Sequence, residues 1–118
     1  MINIYSSSRY KINKNNIESF TQQVLDRYHV DSASILNVAF VGKRKMKQVA
    51  LTYKNEDVAL PVLSFAYIND PENTTENIIG EVVICYPQAV LLAAEREKKV
   101  EIMMHQLIEH GIQNIFNK

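Results

Sequence analysis

The stretch "LIEHGIQNIFNK" near the C-terminus holds the residues best suited to chemistry, His110 and the adjacent Gly111. A neutral imidazole nitrogen is a natural zinc ligand, and zinc lowers the pKa of bound water to about 7, giving a hydroxide nucleophile. Catalytic zinc takes three protein ligands and keeps a fourth position open. Asn114, one helical turn after His110, offers only a neutral amide oxygen, a poor replacement for imidazole. The structural alternative treats His110 as a polar residue near a helix C-terminus, where the dipole favours an imidazolium. Gly111 then serves as a cap or a close-packing point.

Other candidates carry weaker signals. His105 is four residues from both Glu101 and Glu109, and such a face can hold zinc or manganese. However, His105 and His110 are separated by about 140° around a helix, so they do not converge. An exposed polar face is the expectation there. Cys85 ends an apolar strand and reads as a small buried hydrophobe in preference to a thiol nucleophile. His29 stands alone. The strongest positive feature is a basic cluster, Lys43, Arg44, Lys45, Lys47 and Lys54, with Tyr53 supplying an aromatic plane. Such a patch can track an RNA backbone, each phosphate contact adding salt-sensitive affinity. Its bland alternative is a solvated helix face. "EREKK" (95–99) has mixed signs and faces solvent on this reading.

These residues need a scaffold. With 118 residues, 47% of them apolar, the chain is long enough for one domain with a real core. Thirteen basic and thirteen acidic residues cancel, so any nucleic-acid binding must come from a local patch. A single cysteine excludes an intramolecular disulfide and points to a reducing interior. No apolar run is long enough to span a bilayer, and "MINIYSSSRYK" lacks the apolar stretch of a signal peptide. A cytoplasmic protein is expected.

"INIY" alternates as a short strand, and "NKNN" supplies an N-cap for a helix with Ile17, Phe20, Val24, Leu25 and Tyr28 on one stripe. "SILNVAFV" (34–41) reads as a buried strand. Gly42 turns the chain into the basic helix, whose apolar face is Met46, Val49 and Ala50. "VLSFAYI" (62–68) and "IIGEVVIC" (78–85) are further strands around the polar turn "NDPENTTEN", with Gly80 a bulge or close-approach point. Pro87 opens a helix continued by "QAVLLAAEREK". The last helix, about Val100 to Ile115, carries a broad apolar stripe that marks it for burial. The order β-α-β-α-β-β-α-α predicts a single α+β domain, 1–118, with helices packed on a small mixed sheet.

"SILNVAFVGKRKMKQVALTYKNED", then "VLSF", "GEVVI" and a helix ending "LIEHG", together resemble the YbeY family. The resemblance implies a zincin-like fold and a zinc-dependent, single-strand-specific endoribonuclease of rRNA maturation, associated with the small ribosomal subunit. The family motif has the form H-G-x-x-H-x-x-G-Y-D-H. On it His110 takes the first ligand position, Asn114 the second, and the third falls beyond Lys118. The family's cleft arginine matches Lys54, which keeps the charge without the bidentate fork. The family's asparagine, threonine and aspartate match Ala50, Leu60 and Pro61, and its acidic residue after Gly80 matches Glu81.

The apolar frame is thus kept while the polar set is depleted. The expectation is a factor that binds rRNA or the small subunit, with protein partners in ribosome assembly, and that has lost zinc hydrolysis and its cofactor. RNA contacts would come from Lys43, Arg44, Lys45, Lys47, Tyr53 and Lys54. Lys54 and His110 are the catalytic candidates, and His110 the metal candidate, if activity is retained. The alternative is an active metal-dependent endoribonuclease with a non-standard site. No membrane or DNA partner is expected.

Overall fold

A computed structural model describes residues 1–68 and 77–117. The elements follow the expected order: β1 (Ile2–Tyr5), α1 (Lys14–Asp26), β2 (Ile35–Val41), α2 (Lys43–Lys54), β3 (Val62–Ala66), β4 (Ile78–Cys85), α3 (Tyr86–Glu95) and α4 (Val100–Phe116). The turn "NDPENTTEN" lies, but for Asn77, outside the described residues.

The four strands form one sheet in the order β1-β2-β4-β3. β1, β2 and β4 run parallel, and β3 closes the edge antiparallel to β4. Each parallel pairing needs a crossover, and α1 and α2 lie within the two crossovers.

Strand alternation gives the sheet two faces. Leu36, Val38 and Phe40 of β2 and Val82 and Ile84 of β4 point to the main core, where α1, α3 and α4 pack. Val83 and Cys85 point the other way, into a smaller cluster with Met46 and Ala50 of α2, Ala59 and Leu63.

α4 is the centre of the main core, as its stripe predicted: Met103, Met104, Leu107, Ile108, Ile112 and Ile115 are all buried. Glycines let it approach β4. A Cβ on Gly80 would stand 2.7 Å from both Ile115 Cδ1 and the Phe65 carbonyl oxygen. Gly80 is therefore a close-approach point, and the register shift in the β2–β4 pairing falls beside it, between Ile35 and Leu36.

α1 starts where Asn13 Oδ1 accepts the Asn16 backbone N–H at 3.1 Å, an N-cap. Its buried Thr21 donates its hydroxyl to the Ile17 carbonyl at 2.7 Å, so the polar group is satisfied inside the core. α2 ends at Asn55, whose φ of 55° is the left-handed conformation that asparagine tolerates at a C-cap. α3 stops at Glu95, so the rest of "EREKK", 96–99, is an exposed connection to α4.

Candidate functional site

α4 runs on to Phe116, so His110 sits inside the helix and not at its end. Gly111 is correspondingly no cap; it is buried in helical conformation against β4. His110 and Asn114 are both exposed, on successive turns of one face. Glu109 is turned toward α1, where it pairs with Arg27 at 3.4 Å.

His105 departs from the exposed polar face expected of it. Its ring stacks on Phe20 with centroids 4.1 Å apart and planes 3° from parallel. Its Nε2 lies 2.7 Å from Asn16 Oδ1. Burial pushes its pKa below the ordinary histidine value, and the Glu101 carboxylate opposes this more weakly. His105 thus joins α4 to α1.

Among the described residues, no three His, Cys, Asp or Glu side chains gather as a metal would require. His110 offers one imidazole, and the position one turn on offers an amide. This donor set does not fit a three-ligand zinc centre.

Cys85 is wholly buried beneath α2, on the sheet face opposite α4, so it does not approach His110. Burial pushes its thiol pKa up; a backbone hydrogen bond at Gln88 and the charge of Lys43 pull the other way. A thiol so placed is a structural group, not a nucleophile.

The basic residues are arranged differently. Lys43, Arg44, Lys45, Lys47, Tyr53 and Lys54 are all exposed on α2. Lys47 lies 3.8 Å from Asp57, a surface pair worth about 0–1 kcal/mol. Because α2 and α4 occupy opposite sheet faces, Lys54 and His110 do not share a surface layer.

α2 covers only part of its face. Beside it lies a groove of about 430 Å³ lined by Ala39, Val41, Val49 and Val83, with Lys45, Tyr53, Phe65, Tyr67 and Glu81 around them. Tyr53 meets Phe65 edge to face at 5.0 Å, yet keeps 66% of its surface exposed. Glu81 stands in a cross-strand row with Asn37 on one side and Phe65 on the other. The Tyr67 hydroxyl donates to Glu81 Oε2 at 3.5 Å, a long contact. Burial first, then the Glu81 charge, pushes the Tyr67 phenol pKa upward.

The sequence matches Glu81 to the family's acidic position after Gly80, places Phe65 in the apolar frame and gives Tyr67 no role. The available signal was one carboxylate inside the otherwise apolar run "IIGEVVIC", two residues from Val83 and four from Cys85 and so on their face of the strand.

The chain matches the family model described as Endoribonuclease YbeY over residues 2–115. It is 32% identical over 96 residues to the Endoribonuclease YbeY of Cupriavidus necator, covering 81% of this chain and 44% of that protein. The Dehalococcoides mccartyi protein of the same name is 32% identical over 108 residues, with 81% and 63% covered. The chain thus spans less than two thirds of the length of these relatives. A solution structure from Thermotoga maritima superposes with a TM-score of 0.64 at 19% identity, covering 98% of this chain and 71% of that one. That likeness shows the fold. The match from the first strand to the last turn of α4, over the same order of elements, places the chain in the YbeY family.

Proposed function

We propose that the chain serves rRNA maturation as an RNA-binding member of the YbeY family, acting on the small ribosomal subunit without zinc hydrolysis. The observation that carries this reading is the contrast between two surfaces. His110 is followed one turn later by Asn114, so the donor set for a hydrolytic metal is depleted. Meanwhile α2 presents Lys43, Arg44, Lys45 and Lys47 to solvent in one turn and a half.

RNA binding on this reading is mainly electrostatic. Lysine and arginine side chains neutralise backbone phosphates, and released counterions make the affinity fall with salt, by about 0.7 in log–log slope per contact on a single strand. Lys54, at the last turn of α2, extends the patch as a point charge.

The test is fluorescence anisotropy with a labelled single-stranded RNA across a salt series, with cleavage followed on a gel. Salt-sensitive binding without cleavage is expected. Cleavage that is lost in His110→Ala would instead establish the hydrolase reading and overturn this one.

A further inference from the structure

We propose that the groove between α2 and the open half of the sheet receives an unpaired RNA base bearing an exocyclic amino group, its phosphates held on α2. The inference rests on the RNA-binding reading and specifies where a base sits.

A nucleotide presents an anion, a flat apolar ring and, in adenine, cytosine and guanine, an amino donor. The groove offers a counterpart to each. Lys45 stands at its edge and is the cation of α2 that lines it, while Arg44 and Lys47 lie on the other flank of the helix beside Asp57; Lys45 suits phosphate. The lining is apolar, from Ala39, Val41, Val49 and Val83. Tyr53 and Phe65 supply aromatic surface, and Tyr53 is largely solvent-exposed in a region where no described element covers it. Stacking on such planes is sequence-tolerant, because every base has a π-face.

Glu81 supplies discrimination. A carboxylate has about four acceptor positions, and the long contact from Tyr67 occupies one. Glu81 stands mid-sheet and half-buried, with Asn37 and Phe65 opposite it on the neighbouring strands. Asn37 is itself held, its Oδ1 accepting from Asn3 Nδ2 at 3.1 Å. A carboxylate beside aromatic rings repels phosphate and accepts from an amino group. The strand is thereby oriented, with base inward and backbone on the basic helix. The volume, about 430 Å³, falls within the range of small-ligand sites.

The experiment compares oligo(C) and oligo(A) with oligo(U), which lacks the amino group, on the intact chain and on Glu81→Gln and Tyr53→Ala. Parallel titrations with CMP, UMP and arginine amide follow the methyl NMR signals of Ala39, Val41, Val49 and Val83. The intact chain should prefer oligo(C) and oligo(A) over oligo(U) by about tenfold, a usual size for one base contact. Glu81→Gln should erase the preference and keep the salt slope. Tyr53→Ala should weaken all three oligomers by about tenfold. CMP should move the four methyl signals.

Equal binding of all oligomers by the intact chain, or an unchanged preference in Glu81→Gln, would overturn the proposal. Methyl shifts with arginine amide but not CMP would assign the groove to a basic peptide and overturn it as well. If no oligomer binds, the RNA-binding reading falls. The CMP titration then still decides the groove: shifts support a free nucleotide there, and still signals end the idea.

Discussion

Gly111 lies so close to Val82 that a Cβ on it would stand 2.7 Å from Val82 Cγ1 and 3.1 Å from Cγ2. Val82 is fully buried and short, so it has no flexible end to move aside. Overpacking in Gly111→Ala should therefore cost about 1–3 kcal/mol. That outweighs or roughly cancels the gain of about 1 kcal/mol that alanine brings to a helix interior. Urea midpoints of the two proteins check this; a clear rise in stability would show that α4 can step away from β4.

His105 makes stability depend on pH in a defined direction. Its pKa is lowered in the folded chain, mainly by burial, below the ordinary value of 6.5. On acidification the unfolded chain takes up the proton first. The contribution of His105 is therefore fully present above about pH 6.5 and is lost as pH falls through the folded pKa. The loss of stability between about pH 7.5 and pH 5 should be smaller in His105→Gln than in the unmodified chain. Denaturant titrations at both ends measure it, and identical losses would remove His105 from the account.

Reversal of Lys43, Arg44, Lys45 and Lys47 to glutamate should abolish sedimentation with small ribosomal subunits while far-UV circular dichroism stays unchanged. All four side chains are exposed, and the buried face of α2 is carried by Met46 and Ala50. Undiminished co-sedimentation would place the contact elsewhere.

Removal of metal should leave the thermal melt where it is. A metal bound only by the folded chain would raise its stability by RT ln(1 + [L]/Kd). Dialysis against trace zinc should leave substoichiometric zinc by elemental analysis, and EDTA should not shift the transition. One zinc per chain, lost in His110→Ala, would move the hydrolase reading to the front.

The order of elements was legible because each segment has a clear period. "SILNVAFV" and "IIGEVVIC" are strand-length apolar runs, and the stripe from Val100 to Ile115 repeats every three or four residues. The surroundings of His105 were not legible. Its ring contacts, Phe20 and Asn16, belong to a helix near the other end of the chain, and Asn16 is 89 residues away. Its spacing from Glu101 and Glu109 described its own helix correctly and said nothing of what packs on it. The groove was half legible. Tyr53 and Lys45 were noted for their charge and ring, whereas Phe65, Tyr67 and Glu81 come together only once β3 pairs with β4. The end of α4 was legible to within one residue, Phe116 against Ile115, whereas the sequence left Gly111 open as a cap or a close-packing point, and its packing on Val82 makes it the second.

The sheet that parts α2 from α4 also parts the effects of substitution. Residues with no shared neighbours contribute almost additively to stability. Changes at Lys54 should combine with changes at His110 as simple sums. The α4 surface can thus gain or lose ligands without disturbing the α2 surface, and each can drift at its own pace on one scaffold.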